Sequence, residues 1–243
     1  MSTSGYGQFC PVAMAAEIIC PRWTLVLLGE MLSGSTRFNE IRRGVPRMSP
    51  ALLSKRLKEL MDAGVVERIE SRDGVPEYHL TERGQDLAPI IRSIGAWAQR
   101  WVDTDVAMEN LDVQLLMWNM RRNLDPEPMP KRRVVIQFIY PELKPSLRHW
   151  WLIVAPGLDV DLCSIDPAHD IDLYVSADLK SMTTAWMGHT SLRSEIESGK
   201  IVLTGDRKLA KSIENWMGVS SLACEYVATE MTAELRAGSS AMN

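Results

Sequence analysis

The chain has 243 residues, 46% of them apolar and 24% charged, with a net charge of −4, a composition that excludes disordered and fibrous classes and suits soluble globular protein. At ~100–200 residues per domain, that length predicts two domains. No apolar run approaches the ~20 residues of a membrane span, and the N-terminal MSTSGYGQF lacks the basic-then-apolar order of a secretory leader, so a cytoplasmic protein with no membrane partner is expected.

Cys10, Cys20, Cys163 and Cys224 show no C-x-x-C spacing, and His79, His149, His169 and His189 form no H-E-x-x-H. No metal site and no cofactor are expected, and the thiols read as free in a reducing cytosol. The acidic total argues against nucleic acid, but its distribution reverses that. Arg37, Arg42, Arg43, Arg47, Lys55, Arg56 and Lys58 face one acid, Glu40, a local charge of +6. Such a stretch is an electrostatic footprint for DNA or a solvated helical face.

Residues 11–32 read as two helices. Val12, Ala15, Ile18 and Ile19 form a buried face, and Trp23, Leu27, Met31 and Leu32 continue it after Pro21, which fits a first helical position. Phe38 and Ile41 mark a short basic helix closed near Gly44. Ser49-Pro50 then starts a helix, a hydroxyl cap followed by a ring whose φ is already helical. Leu53, Leu57, Leu60 and Met61 give it one apolar stripe, and Gly64 a left-handed stop. Ala51, Ser54, Lys55 and Lys58 remain on the other side, a small-plus-basic face that suits a major groove. Residues 65–69 and 77–80 read as strands around the Asp73-Gly74 hairpin signal, with Arg72 at the tip. A long helix follows over residues 82–102. Its stripe includes Ile91, Ile94, Trp97 and Trp101, to be covered by a second copy of the chain or by the second domain.

Cys10-Pro11-Val12, Arg22-Trp23-Thr24, Arg37-Phe38-Asn39-Glu40-Ile41, Ser49-Pro50, Leu53-Ser54-Lys55-Arg56-Leu57-Lys58-Glu59-Leu60, Gly64-Val65-Val66-Glu67-Arg68 and Tyr78-His79-Leu80-Thr81 resemble the HxlR-type winged-helix regulators over residues ~8–102. The resemblance implies a homodimer on a palindromic double-stranded DNA operator. The helix near 49–61 would enter the major groove, and the wing near 69–75 would touch the flanking backbone. The DNA-facing set is then Arg37, Arg42, Arg43, Arg47, Ser49, Ala51, Ser54, Lys55, Lys58 and Arg72. It also implies that Cys10 stands where some relatives sense oxidants or electrophiles, against which stands an inert, partly buried thiol.

Residues 106–123 look helical, with Leu111, Leu115 and Trp118 on one face, and Asp125-Pro126-Glu127-Pro128-Met129-Pro130 reads as a stiff linker. The expected division is therefore 1–105, 106–132 and 133–243. After the linker the apolar period becomes two: strands at 135–140 and 150–155, then around Leu158 to Leu162, Ile171 to Val175 and Ile201 to Leu203, interspersed with short helices. An antiparallel sheet with helices on one side is expected, making the whole chain α+β. Asp161-Leu162-Cys163, residues 172–179, Trp186-Met187-Gly188 and residues 199–205 resemble a sterol-carrier-protein-type lipid-binding domain. That implies a sandwich with an apolar tunnel, whose lining would be Phe138, Trp150, Trp151, Met182, Trp186, Met187 and Trp216; simple core is the other reading of each.

The expected function is a dimeric regulator, a repressor released by an apolar small-molecule effector. The alternative is a regulator sensing through the Cys10 thiol, with the second domain as a dimerisation module. No Gly-rich phosphate loop or G-x-S-x-G elbow points to an enzyme.

Overall fold

A computed structural model describes residues 5–102 and 109–220. The chain divides into two compact units, Met1–Gly95 and Ala96–Asn243. In the first come α1 (Pro11–Ile19), α2 (Thr24–Leu32), α3 (Phe38–Gly44), α4 (Pro50–Asp62), the hairpin of β1 (Val66–Glu70) and β2 (Pro76–Leu80), and α5 (Glu82–Gln85); α6 (Ala88–Trp101) spans the division. Leu27, Leu28 and Met31 of α2, Ile41 of α3, and Leu53, Leu57 and Leu60 of α4 pack with Val65 and Val66 into one core.

Three sequence expectations fail here. α1 buries no side chain: Val12 is 76% exposed and Ile18 37% exposed. Its spacing is helical, but spacing alone does not say what covers a face. Pro21 does not open α2. It lies in a tight turn in which Thr24 N–H donates to Pro21 O, and Trp23, at φ +80°, precedes the helix. The helix expected over 82–102 is broken after Gln85, because Pro89 has no N–H to carry the ladder on and sits instead in the first turn of α6.

The second unit contains α7 (Val113–Asn123), β3 (Val134–Ile139), α8 (Pro145–Arg148), β4 (His149–Val154), β5 (Asp161–Cys163), β6 (Leu173–Ala177), α9 (Leu179–Trp186), α10 (Leu192–Glu197), β7 (Ile201–Gly205), α11 (Arg207–Lys211) and α12 (Ile213–Trp216). The strands form a five-stranded sheet in the order β5-β4-β3-β6-β7. It is mixed rather than antiparallel: β3 and β6 run parallel, with Ile136 opposite Leu173 and Phe138 opposite Val175. Alternation marks a strand but not its direction, so the crossover between β5 and β6 left no trace in the pattern.

One face of the sheet, carrying Val134, Ile136, Phe138, Trp150, Leu152, Leu173 and Val175, packs with side chains from α7, α9, α10, α11 and α12. The buried face of α7 is Val113, Leu116, Met117, Trp118 and Met120; of the expected Leu111, Leu115 and Trp118, Trp118 is buried, Leu111 packs against the core from before the helix, and Leu115 is only partly buried. The stretch expected to be a linker is built into this unit: Leu124 and Met129 belong to its core, and Asp125 N–H donates to Trp216 O at 2.8 Å.

Gly199 precedes β7 and Gly205 closes it, in different circumstances. A Cβ on Gly199 (φ +77°) would meet nothing within 4 Å, whereas one on Gly205 (φ +132°) would lie 2.3 Å from the Asp172 carbonyl oxygen. Gly199→Ala should therefore cost only left-handed strain, about 1 kcal/mol. Gly205→Ala should add a backbone clash and cost about 3 kcal/mol or more. Urea unfolding of the two variants checks the difference, and equal costs would contradict the close approach of β6 and β7.

Candidate nucleic-acid interface

α4 is held by one side and capped at one end. Ser49 Oγ accepts from Leu52 N–H at 3.3 Å, Pro50 opens the helix, and Leu53, Leu57 and Leu60 are buried at 2% exposure or less. That rotation leaves Ala51, Ser54, Lys55 and Lys58 exposed. Lys55 reaches only loosely toward Glu59, at 3.9 Å and with 67% of its side chain exposed. Arg56 turns away from that face: it donates to Arg22 O at 3.1 Å and pairs with Glu59. Arg42 and Arg43, in the last turn of α3, and Arg47 before α4 are exposed. Arg72 is exposed at the hairpin tip.

Arg37 departs from the expected set. Its Nη2 donates to Asp73 Oδ2 at 2.9 Å and to Glu77 Oε1 at 3.2 Å, and its Nε reaches the same Glu77 oxygen at 3.2 Å. Tyr78 N–H donates to Thr36 O at 2.7 Å beside this cluster. Arg37 thus joins the start of α3 to the wing instead of standing free. Both carboxyls are held below their ordinary values. For Asp73 the main cause is the Val75 N–H it accepts, and for Glu77 it is His79, with Arg37 adding to both. Sequence reasoning missed Asp73, Glu77 and His79. Asp73 was legible as a turn residue, and the approach of residue 37 to the wing is a tertiary fact.

Along α6, Ile91 packs against the first unit's core, while Ile94, Trp97 and Trp101 are 43%, 61% and 66% exposed. The expected stripe is therefore divided between core and surface. Cys10 precedes α1, partly exposed, with its carbonyl accepting from Met14 N–H at 3.0 Å.

In the second unit Phe138, Trp150, Met182, Trp186 and Trp216 share one buried cluster, with Met187 packed against it. Trp216 and Trp150 satisfy their indole N–H groups on Leu209 O and Leu147 O. Trp151 does not join them. Strand alternation turns it to the other face of the sheet, where its ring lies 6.1 Å from that of His149. Sequence reasoning passed over Tyr140, which is fully buried in the cluster and whose hydroxyl donates to Met117 Sδ at 3.2 Å. Burial pushes its phenol well above the ordinary range, with Glu142 adding to the shift. Among the described residues there is no group of three or more His, Cys, Asp or Glu placed to hold a metal, and no single helix is long and apolar enough to cross a membrane.

Comparison with known proteins bears on the N-terminal part of the chain. The model of the HxlR-like helix-turn-helix family matches residues 18–106. The HTH-type transcriptional regulator YvaP of Bacillus subtilis is 41% identical over 103 residues, spanning 40% of this chain and 92% of YvaP. The chain belongs to the HxlR-like helix-turn-helix family. The HTH-type regulator Rv3095 of Mycobacterium tuberculosis is 31% identical over 138 residues, spanning 49% of this chain and 85% of that protein. Among solved structures, the redox regulator HypR in its reduced form is 32% identical, with 40% of this chain and 99% of HypR covered and a TM-score of 0.37. As an HxlR-like protein the chain is a DNA-binding transcriptional regulator, and the matched segment runs from the last residues of α1 through α6. The wing and the exposed face of α4 lie within it.

Proposed function

We propose that this HxlR-like regulator binds a palindromic operator as a homodimer, with α4 in the major groove and the β1–β2 wing on the flanking backbone. The observation that carries the reading is the two-sidedness of α4: a leucine stripe at 2% exposure or less opposite exposed Ala51, Ser54, Lys55 and Lys58. Lysines meet phosphates and supply affinity, while the small residues let the helix approach base edges. Ser49, Arg42, Arg43, Arg47 and Arg72 border the same surface in sequence. The exposed Ile94, Trp97 and Trp101 form the dimer seam, because large apolar side chains aligned on one helix favour a covering partner.

The second unit receives an apolar effector, and the regulator acts as a repressor that the effector releases. A thioether is a weak acceptor, so the Tyr140–Met117 bond leaves a buried hydroxyl with a poor partner inside a Met- and Trp-rich core. A ligand bearing one good acceptor would satisfy it better, and the flexible methionines would repack around the rest. To shift DNA binding, the ligand must prefer the DNA-incompetent state. The thiol reading, with the second unit as a dimerisation module, is supported by the partial exposure of Cys10 beside a helix N-terminus.

Three measurements test these assignments, using a duplex selected from a random-sequence library by the wild-type protein. The Lys55→Ala/Lys58→Ala protein should bind it more weakly and lose ~0.9 of log–log salt slope per phosphate contact removed; an unchanged slope would move the interface elsewhere. Ile94→Asp should shift the sedimenting species from dimer to monomer, since the seam offers the new charge no partner; a persistent dimer at micromolar concentration would contradict the seam. For the effector, small molecules co-purifying with the intact protein should be detected by native mass spectrometry and lost in Trp186→Ala. No such species, together with DNA release that requires the Cys10 thiol and vanishes in Cys10→Ser, would establish the thiol reading instead.

A further inference from the structure

We propose that Arg37 is a charge-compensating strut for the wing rather than a phosphate contact: it sets the hairpin against α3 and offsets part of the charge of two carboxylates that would otherwise repel DNA. This rests on the reading that α4 and the wing face the duplex. Asp73 is at the hairpin tip next to Arg72, with 48% of its side chain exposed, and Glu77 is on the strand leading away from it, with 21% exposed. The hairpin, residues 66–80, carries Glu67, Glu70, Asp73 and Glu77 against Arg68 and Arg72, a charge of −2 with His79 neutral, and Arg37 brings it to −1 on an element meant to approach phosphates, where like charges are costly. One guanidinium reaches both, through Nη2 to Asp73 and through Nη2 and Nε to Glu77.

The backbone fixes this geometry independently. Arg37 and Glu77 form a β-bridge, Tyr78 N–H donates to Thr36 O, and Glu40 Oε2 accepts from Arg37 N–H at 3.2 Å. The side chain is therefore launched from a fixed point toward the wing. Both carboxyls stay ionised in the operating range, so the need for a counter-charge persists there. Only a planar fork spans two acceptors in this way; an ammonium on a flexible stem holds one well. The wing's carboxylates thus act as an internal stand-in for phosphate, and Arg37 is a positioning residue.

The strut and phosphate-contact roles predict opposite outcomes when the carboxylates are removed together with the arginine. Fluorescence anisotropy with the library-selected duplex would compare Arg37→Ala, Arg37→Lys and the neutral triple variant Arg37→Gln/Asp73→Asn/Glu77→Gln, with circular dichroism to check folding. A strut predicts a loss of about tenfold in Arg37→Ala, a smaller loss in Arg37→Lys, and recovery in the triple variant to within about threefold of wild type at unchanged salt slope. A triple variant as weak as Arg37→Ala, with a slope lower by ~0.9, makes Arg37 a phosphate contact and overturns the proposal; so does full affinity in Arg37→Ala. If Arg37→Ala does not fold, the triple variant alone decides, because both roles still predict different slopes for it. The Lys55→Ala/Lys58→Ala protein separates this result from the larger reading. Normal binding there would show that the interface itself is misplaced.

Discussion

The first unit depends on the burial of one stripe of leucines. Leu53, Leu57 and Leu60 are closed off from water against α2 and α3, and each fully buried leucine is worth roughly 1.5–3 kcal/mol relative to exposure. That energy sets the rotation of α4 about its axis. Once the stripe is inside, Ala51, Ser54, Lys55 and Lys58 have nowhere to point but outward. The small-plus-basic open face of α4 is therefore a geometric consequence of core packing. The Ser49 cap then fixes where the helix begins, and so how far its N-terminal turn projects.

Electrostatics refine that surface rather than create it. The chain is acidic overall, yet its cations between residues 37 and 58 do different jobs. Lys55 and Lys58 stay on the open face. Arg56 is drawn to Arg22 O and Glu59, and Arg37 to the wing. A long arginine side chain finds the nearest acceptor that the backbone places within reach, and here that acceptor is inside the domain. The cationic charge left open on this stretch is consequently smaller and more localised than the count of basic residues implies.

How much was legible follows the range of the interactions involved. The helix cap at Ser49-Pro50, the leucine stripe of α4 and the Asp73-Gly74 hairpin are local, and all stand in the structure where the residue pattern puts them. What was illegible needed a partner distant in sequence. α1 is apolar and helical, yet of its expected face Ile19 alone packs against the first core while Val12 and Ile18 stay exposed, a division that spacing does not reveal. Alternation showed the strands of the second unit without their directions, and the parallel β3–β6 pair was missed. The proline-spaced stretch read as a linker because composition suggests stiffness, while the burial of Met129 depends on a core assembled largely from later residues. The commitment of Arg37 to Asp73 and Glu77, 36 and 40 residues on, belongs to the same class.

Site-directed cleavage distinguishes an α4 whose open face lies against DNA from one that does not. With the native cysteines replaced by serine, a DNA-cleaving iron chelate attached to a cysteine at position 54 would be bound to the library-selected duplex. A dimer placing one α4 per half-site should give two symmetric clusters of strand scission separated by about one helical turn, or a small multiple of it. Scission absent from position 54 but strong when the chelate is attached to the exposed Asp161 position of the second unit would contradict it, and would put the DNA-reading surface outside the winged-helix unit.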